Sequence, residues 1–282
     1  MEKILFNGEI LDRSSCRVDL EDRGYQFGDG IYEVIRVYDG SFFTLEEHME
    51  RLYESARKLN LTPTIHEDTL ISLLEQLIVK NSIKDGILYL QWTRGVAKRQ
   101  HHFPTSDGEG TLIAYTNQLE RPLSQLKSGV KAKLEEDIRW LRCDIKSLNL
   151  LGNLLAKEAA VKAGCFEAIL HRGKIVTEGS SSNVYIVKSG KIYTHPTSNL
   201  ILEGITRKVL KKLCRANNID FIEEEFTIEE LLSAEEVMIT STTSEIMPII
   251  QIDDKVIGDG KPGTVVTLLQ ECFYNGINKK TS

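Results

Sequence analysis

The sequence predicts a mixed α/β chain of the α+β kind, divided into two domains. Three observations predict it. Strand-like apolar runs recur along the whole chain, and between them stand segments whose apolar residues return every three or four positions. One aperiodic, proline-bearing stretch, Asn117-Gln118-Leu119-Glu120-Arg121-Pro122-Leu123, interrupts the pattern. The 282 residues, 41% hydrophobic and 27% charged, suffice for a large core and exclude a disordered chain.

Each element has a local reason. Asn7-Gly8, between Ile4-Leu5-Phe6 and Glu9-Ile10-Leu11, predicts a type I′ hairpin, whose two central positions need positive φ. Ile31 to Tyr38 reads as a strand turned by Asp39-Gly40. Thr44 and Glu47 form a capping-box pattern ahead of a helix with apolar Leu45, Met49, Leu52, Ala56 and Leu59. A second helix carries Leu70, Ile71, Leu74, Leu77 and Ile78. Ile87 to Thr93 and Thr111 to Thr116 read as strands, separated by a polar loop from Gly95 to Gly110 that is long for a plain connection. A linker is placed at residues 118–122, leaving an N-terminal domain over 1–117 and a C-terminal domain over 123–282.

Beyond the linker, Val130 to Ile138 reads as a strand and Leu148 to Ala163 as a helix stopped by Gly164. Short strands follow at Ala168 to Leu170, Lys174 to Thr177 and Val184 to Val187, with turns at Arg172-Gly173 and Ser189-Gly190. Gly204 to Asn217 and Ile228 to Ser233 read as helices. Val237 to Thr240 and Ile246 to Ile252 return to strand, and Thr264 to Phe273 closes the chain as a helix.

Composition narrows the function. Lys and Arg total 35 against 41 for Asp and Glu, a formal net charge of −6 that argues against a broad nucleic-acid footprint. Five scattered cysteines, an odd number, favour a reducing compartment. The start lacks a signal-peptide pattern, and no run of apolar residues is long enough for a membrane span, so a cytoplasmic protein is expected. No Cys-x-x-Cys, His-Glu-x-x-His or Walker loop is present, and the adjacent His101 and His102 point different ways on an extended chain; no metal site is expected.

Four segments stand out chemically. In Arg139 to Leu151, apolar and charged residues are closely mixed, and burial of Lys146 between Ile145 and Leu148 would favour the neutral amine of Schiff-base chemistry. A lysine reaching solvent from a strand end fits the same residues. Thr177-Glu178-Gly179-Ser180-Ser181-Ser182-Asn183 puts a carboxylate before a run of hydroxyls, which alone reads as a turn. Gly204-Ile205-Thr206 opens a helix, where free N–H groups suit an anion or simple capping. Thr240 to Glu245 offers another dense set of donors.

Taken in order, these segments, together with Gly28-Asp29-Gly30-Ile31-Tyr32-Glu33 and Phe43 to Leu52, resemble the class IV pyridoxal-phosphate aminotransferases. That family holds D-amino-acid and branched-chain aminotransferases and aminodeoxychorismate lyase. The resemblance implies the two-domain fold type IV, with a smaller N-terminal α+β domain and a larger, β-rich C-terminal domain. Arg94-Gly95, Arg99-Gln100-His101 and the stretch Asp137 to Gly152 are most similar to the D-amino-acid branch.

Carried over by position, the resemblance makes Lys146 the catalytic Schiff-base lysine and Glu178 the partner of the cofactor's ring nitrogen. Arg51, the Ile205 and Thr206 amides and Thr242 would cradle the phosphate of pyridoxal 5'-phosphate, with Leu202 against the ring. Tyr32, Arg99 and His101 would hold the substrate carboxylate, the last two supplied by the partner subunit of a homodimer. The implied reaction moves the amino group of D-alanine and other D-amino acids to 2-oxoglutarate, giving 2-oxo acids and D-glutamate for bacterial wall synthesis. Neither nucleic acid nor membrane is an expected partner. Branched-chain L-aminotransferase, aminodeoxychorismate lyase and a non-catalytic anion binder are the alternatives.

Overall fold

In the computed structural model, which describes residues 2–104 and 110–281, Asn7 and Gly8 take φ values of 47° and 89°. They join β1 (Lys3–Phe6) to antiparallel β2 (Glu9–Asp12), the hairpin expected of that pair. Of the long loop from Gly95 to Gly110, residues 105–109 lie outside the described residues. The chain divides into two compact units, one built from residues through Glu120 with Ile145–Asn149, the other from Arg121–Asp144 with Leu150–Lys280.

The first unit continues with α1 (Arg23–Phe27), β3 (Gly30–Tyr38), β4 (Ser41–Phe42), α2 (Leu45–Lys58), α3 (Glu67–Lys80), β5 (Gly86–Thr93) and β6 (Leu112–Gln118). Among the described residues its sheet has six strands, ordered β2-β1-β6-β5-β3-β4, each antiparallel to its neighbours. Alternation along β3 sends Ile31, Ile35 and Val37 into a core with Met49 and Leu52 of α2 and Leu74 of α3. Tyr32 and Val34 stand on the opposite face, half-buried.

Two sequence expectations change here, the cap at Thr44 and the start of the helix after Leu148. Thr44 is no capping box: it sits in the left-handed region at φ 57°, and its hydroxyl donates to Phe43 O at 2.6 Å instead of accepting from the helix. The expected helix from Leu148 begins only at Leu151, because the preceding residues are engaged elsewhere. Tyr32 N donates to Lys146 O and Leu148 N to Gly30 O, both at 3.0 Å, so Ile145–Asn149 lies along β3 and groups with the first unit although it follows residue 123. The division between units falls between Glu120 and Arg121, and β6 runs through Gln118, the first residue of the expected linker.

The second unit holds α4 (Leu123–Ser128), β7 (Val130–Glu136), α5 (Leu151–Lys162), β8 (Glu167–Arg172), β9 (Ile175–Gly179), β10 (Asn183–Lys188) and β11 (Lys191–Thr194). It continues through α6 (Ile205–Ala216), β12 (Phe221–Glu223), α7 (Ile228–Leu232), β13 (Glu236–Ser241), β14 (Glu245–Ile252), β15 (Lys255–Val256) and α8 (Thr264–Thr281). Its sheet runs β12-β11-β10-β13-β14-β7-β8-β9, with β15 on β14. The sheet is mixed, since β7 runs parallel to both β14 and β8. Helix α6 buries Ile205, Leu210 and Cys214. No helix among the described residues is long and apolar enough to cross a membrane.

Gly129, which ends α4, has φ 74°, and a Cβ there would lie 2.3 Å from Ile250 Cγ2. Backbone strain and overpacking therefore act together. Gly129→Ala is expected to cost about 1–3 kcal/mol, read from the urea midpoint.

Candidate active site

The first unit brings Lys146 and Tyr32 together. Pairing of Ile145–Asn149 along β3 sets the lysine beside the tyrosine, and its Nζ lies 4.1 Å from the Tyr32 ring centroid. The ring face is a favourable neighbour for an ammonium group. Tyr32 in turn stacks on Tyr89 at 5.9 Å, and Tyr89 meets Tyr115 at 5.0 Å, so the tyrosine belongs to an aromatic row across β3, β5 and β6. Lys146 N also donates to Ser55 Oγ of α2 at 3.3 Å.

Arg51, one turn after His48 on α2, grips Glu33 of β3 through two bonds, Nε to Oε1 at 2.7 Å and Nη2 to Oε2 at 2.8 Å. His48 Nδ1 lies 2.7 Å from the same carboxylate. Burial alone would raise the Glu33 carboxyl, but Arg51 and His48 outweigh it and hold it well below the usual range. Burial pushes the His48 imidazole down, against the pull of Glu33. Neither Glu33 nor His48 was picked out by role from the sequence, although both lie in the segments that carry the family resemblance.

Arg99 and His101 are exposed and share one aromatic neighbour. The Arg99 guanidinium lies 4.5 Å from the Phe27 ring centroid, and the His101 ring meets Phe27 edge-on at 6.0 Å. Their loop is tied down by Arg23, which donates to Gln100 O at 2.7 Å and to Asp29 at 2.8 Å.

The second unit gathers the other residues around Glu178. This buried carboxylate accepts from Arg139 Nη1, from Asn183 Nδ2 at 3.1 Å and from Leu202 N at 3.0 Å. Burial pushes its carboxyl up to about 6, with Arg139 the chief opposing influence. Arg139 is itself held by Asp137 through paired bonds of 2.8 Å, and Asp137 also accepts from Arg172 and Thr177. Positive and negative groups thus alternate in a chain that ends on Glu178. The sequence reading assigned Arg139 no role, because a charged residue in a mixed run carries no sign of which carboxylate it will meet.

Asn183 connects this carboxylate to the start of α6. It donates to Glu178 and to Leu202 O at 2.8 Å, and a Cβ on Gly204 would lie 2.3 Å from its Oδ1. Only a glycine lets the backbone pass so close. Helix α6 then opens without a side-chain cap, so the Ile205 and Thr206 amides lack intrahelical acceptors, an arrangement suited to an anion. Thr242 lies in the turn between β13 and β14, where Ser244 N donates to Ser241 Oγ at 3.1 Å.

Taken unit by unit, the residues fit a pyridoxal phosphate: the first unit offers an amine beside an aromatic ring, and the second a buried carboxylate with charge support and uncapped amides behind a glycine. No group of three or more metal-ligating side chains occurs among the described residues. The chain belongs to the class IV aminotransferases, whose family pattern, described as amino-transferase class IV, matches residues 30–252. With the relatives that follow, this makes the chain a transaminase that works through pyridoxal 5'-phosphate. The sequence is 51% identical over 282 residues to the D-alanine aminotransferase of Staphylococcus haemolyticus, covering 100% of both chains. The fold matches the branched-chain amino acid aminotransferase of Escherichia coli with a TM-score of 0.93 at 26% identity, covering 97% of this chain and 94% of that one. It also matches the branched-chain aminotransferase of Thermoproteus uzoniensis, solved with norvaline, with a TM-score of 0.87 at 26% identity, over 98% and 94% of the two chains. The family resemblance read from the motifs is thus borne out.

A carboxyl raised from 4.5 to about 6 by folding contributes stability that is complete below 4.5 and lost as pH rises through 6. In the cofactor-free protein, the stability of wild type relative to Glu178→Gln is expected to fall across that window in urea titrations. Arg139→Gln, which removes the opposing charge, should move the window upward.

Proposed function

We propose that the chain is a cytoplasmic, homodimeric D-amino-acid transaminase that moves the amino group of D-alanine and other D-amino acids to 2-oxoglutarate. The products are pyruvate or another 2-oxo acid and D-glutamate. The full-length likeness to a D-alanine aminotransferase carries the substrate class.

When bound, the cofactor supplies an electron-accepting ring for the pair released as the substrate α-proton leaves. Lys146 Nζ would hold the resting cofactor covalently and, once the substrate's amino group had displaced it, the freed amine would take up and hand back the substrate α-proton. Glu178 keeps a proton on the ring nitrogen. Arg51, the Ile205 and Thr206 amides and Thr242 hold the phosphate, and Leu202 packs on the ring. Tyr32, with Arg99 and His101 of the partner subunit, holds the substrate carboxylate. Handedness follows from that last assignment, because one lysine works on one face and the α-hydrogen must be presented there.

Exposed apolar side chains support the dimer. Leu151, Leu154 and Leu155 of α5, with Trp140 and Leu141 just before it in sequence, are between 41% and 77% exposed. A concentration of this kind marks an association surface. Light scattering should give twice the chain mass.

The deciding assay follows D-glutamate formed from D-alanine and 2-oxoglutarate, with L-leucine as the competing donor. Preference for L-leucine would overturn the reading in favour of the branched-chain activity of the fold neighbours. Lys146→Ala is expected to retain cofactor through phosphate contacts while turnover falls by at least roughly 10²–10⁴-fold, the scale of lost acid–base catalysis. Arg99→Ala should lose on the order of ten- to one-hundred-fold in kcat/KM for D-alanine, with the visible spectrum of the resting enzyme unchanged.

A further inference from the structure

The run Ser180-Ser181-Ser182 between β9 and β10 has a single acceptor. Glu167, on the neighbouring strand β8, is 2% exposed and faces all three hydroxyls. Its Oε1 accepts from Ser180 Oγ and from Ala168 N at 2.9 Å, and its Oε2 accepts from Ser182 Oγ at 2.9 Å and Ser181 Oγ at 3.2 Å. Lys157 Nζ of α5 stands 3.9 Å away as the nearest cation. A hydroxyl has one proton, so donation to Glu167 fixes the rotor of each serine.

The backbone of the loop is fastened to the same place. Ser180 N donates to Ala168 O at 2.9 Å, Asn153 Nδ2 to Ser180 O at 2.8 Å, and Gly179 N to Ser182 O at 2.6 Å. A Cβ on Gly179 would lie 2.1 Å from Ser182 Oγ and 3.3 Å from Glu167 Oε2. The loop is therefore closed as tightly as a glycine permits. Its two ends are Glu178 and Asn183, which bond each other.

We propose that Glu167 is a positioning residue for the transamination: it gathers the three serines so that the loop presents Glu178 and Asn183 in one fixed arrangement. The proposal rests on the reading that Glu178 meets the ring nitrogen. A carboxylate is required at position 167, because an amide keeps one acceptor oxygen and turns a donor toward hydroxyls that must also donate. Ser182→Ala breaks the same device from the other side, at a residue small enough to change without loss of fold.

The test uses holoenzyme carrying cofactor labelled with ¹⁵N at the ring nitrogen, whose resonance reports protonation directly. Glu178→Gln is the reference and should move the resonance toward the unprotonated position. Glu167→Gln and Ser182→Ala should move it the same way, and slow the first half-reaction by roughly 10- to 100-fold, the usual range for supporting partners, with little change in KM for D-alanine. Serine-loop amides should exchange faster in both variants, and Glu167→Asp should recover part of the rate. A Glu178→Gln enzyme that moves the resonance, beside Glu167→Gln and Ser182→Ala enzymes with wild-type resonance and rate, overturns the proposal alone. A Glu178→Gln enzyme with an unmoved resonance overturns the Glu178 reading and the proposal with it. Should Glu167→Gln fail to fold, Ser182→Ala gives the same decision.

Discussion

A carboxylate removed from water must find donors, and in this protein those donors come from distant parts of the chain. Glu33 draws Arg51 and His48 from α2 onto β3. Glu178 draws Arg139, Asn183 and the Leu202 amide. Glu245, which opens β14 at φ 55°, is met by both arms of Arg121 at 2.7 Å. Each buried acid ties a loop or helix to a strand, and the residues assigned to chemistry are neighbours of these ties.

The arrangement around Glu178 sets two requirements against each other. In the proposed function the acid must remain ionised to hold a proton on a partner, yet it is buried, which favours the neutral form. Arg139 counters burial, and Asp137 in turn fixes Arg139, so the balance depends on a row of groups extending to Arg172. Burial leaves the Glu178 carboxyl raised, to about 6, whereas Arg51 and His48 hold the Glu33 carboxyl well below the usual range. Two buried glutamates are thus shifted in opposite directions by their surroundings.

What could be read in advance depended on how local the cause was. Asn7-Gly8 announced its hairpin because positive φ is a property of the two residues themselves. Thr44 misled because a capping pattern is only a preference, and the chain entering from β4 placed the residue in the left-handed region. The strand Phe221–Glu223 escaped notice because it is short and pairs with Lys191–Thr194 across more than twenty residues of intervening chain, whereas Lys191–Thr194, only four residues long, also completes the local hairpin turned at Ser189-Gly190. Lys146 and Glu178 were singled out through the order of motifs, not through their own neighbours, and the contact of Arg139 with Glu178 appeared only when the fold brought the two together. The capping box at Thr227 and Glu230 was legible in principle, since the pattern stands in the sequence and the bonds form.

The pairing of Ile145–Asn149 along β3 also orders events during synthesis. Residues through Glu120 emerge first and contain every named strand of the first sheet, yet Gly30 O and Tyr32 N remain without their backbone partners until residue 148 follows. Until then that stretch of β3 is an open edge, the kind of surface that recruits other extended chains. The first unit is therefore finished by a segment made after part of the second has already left the ribosome. Its last piece to arrive is the one that carries the lysine.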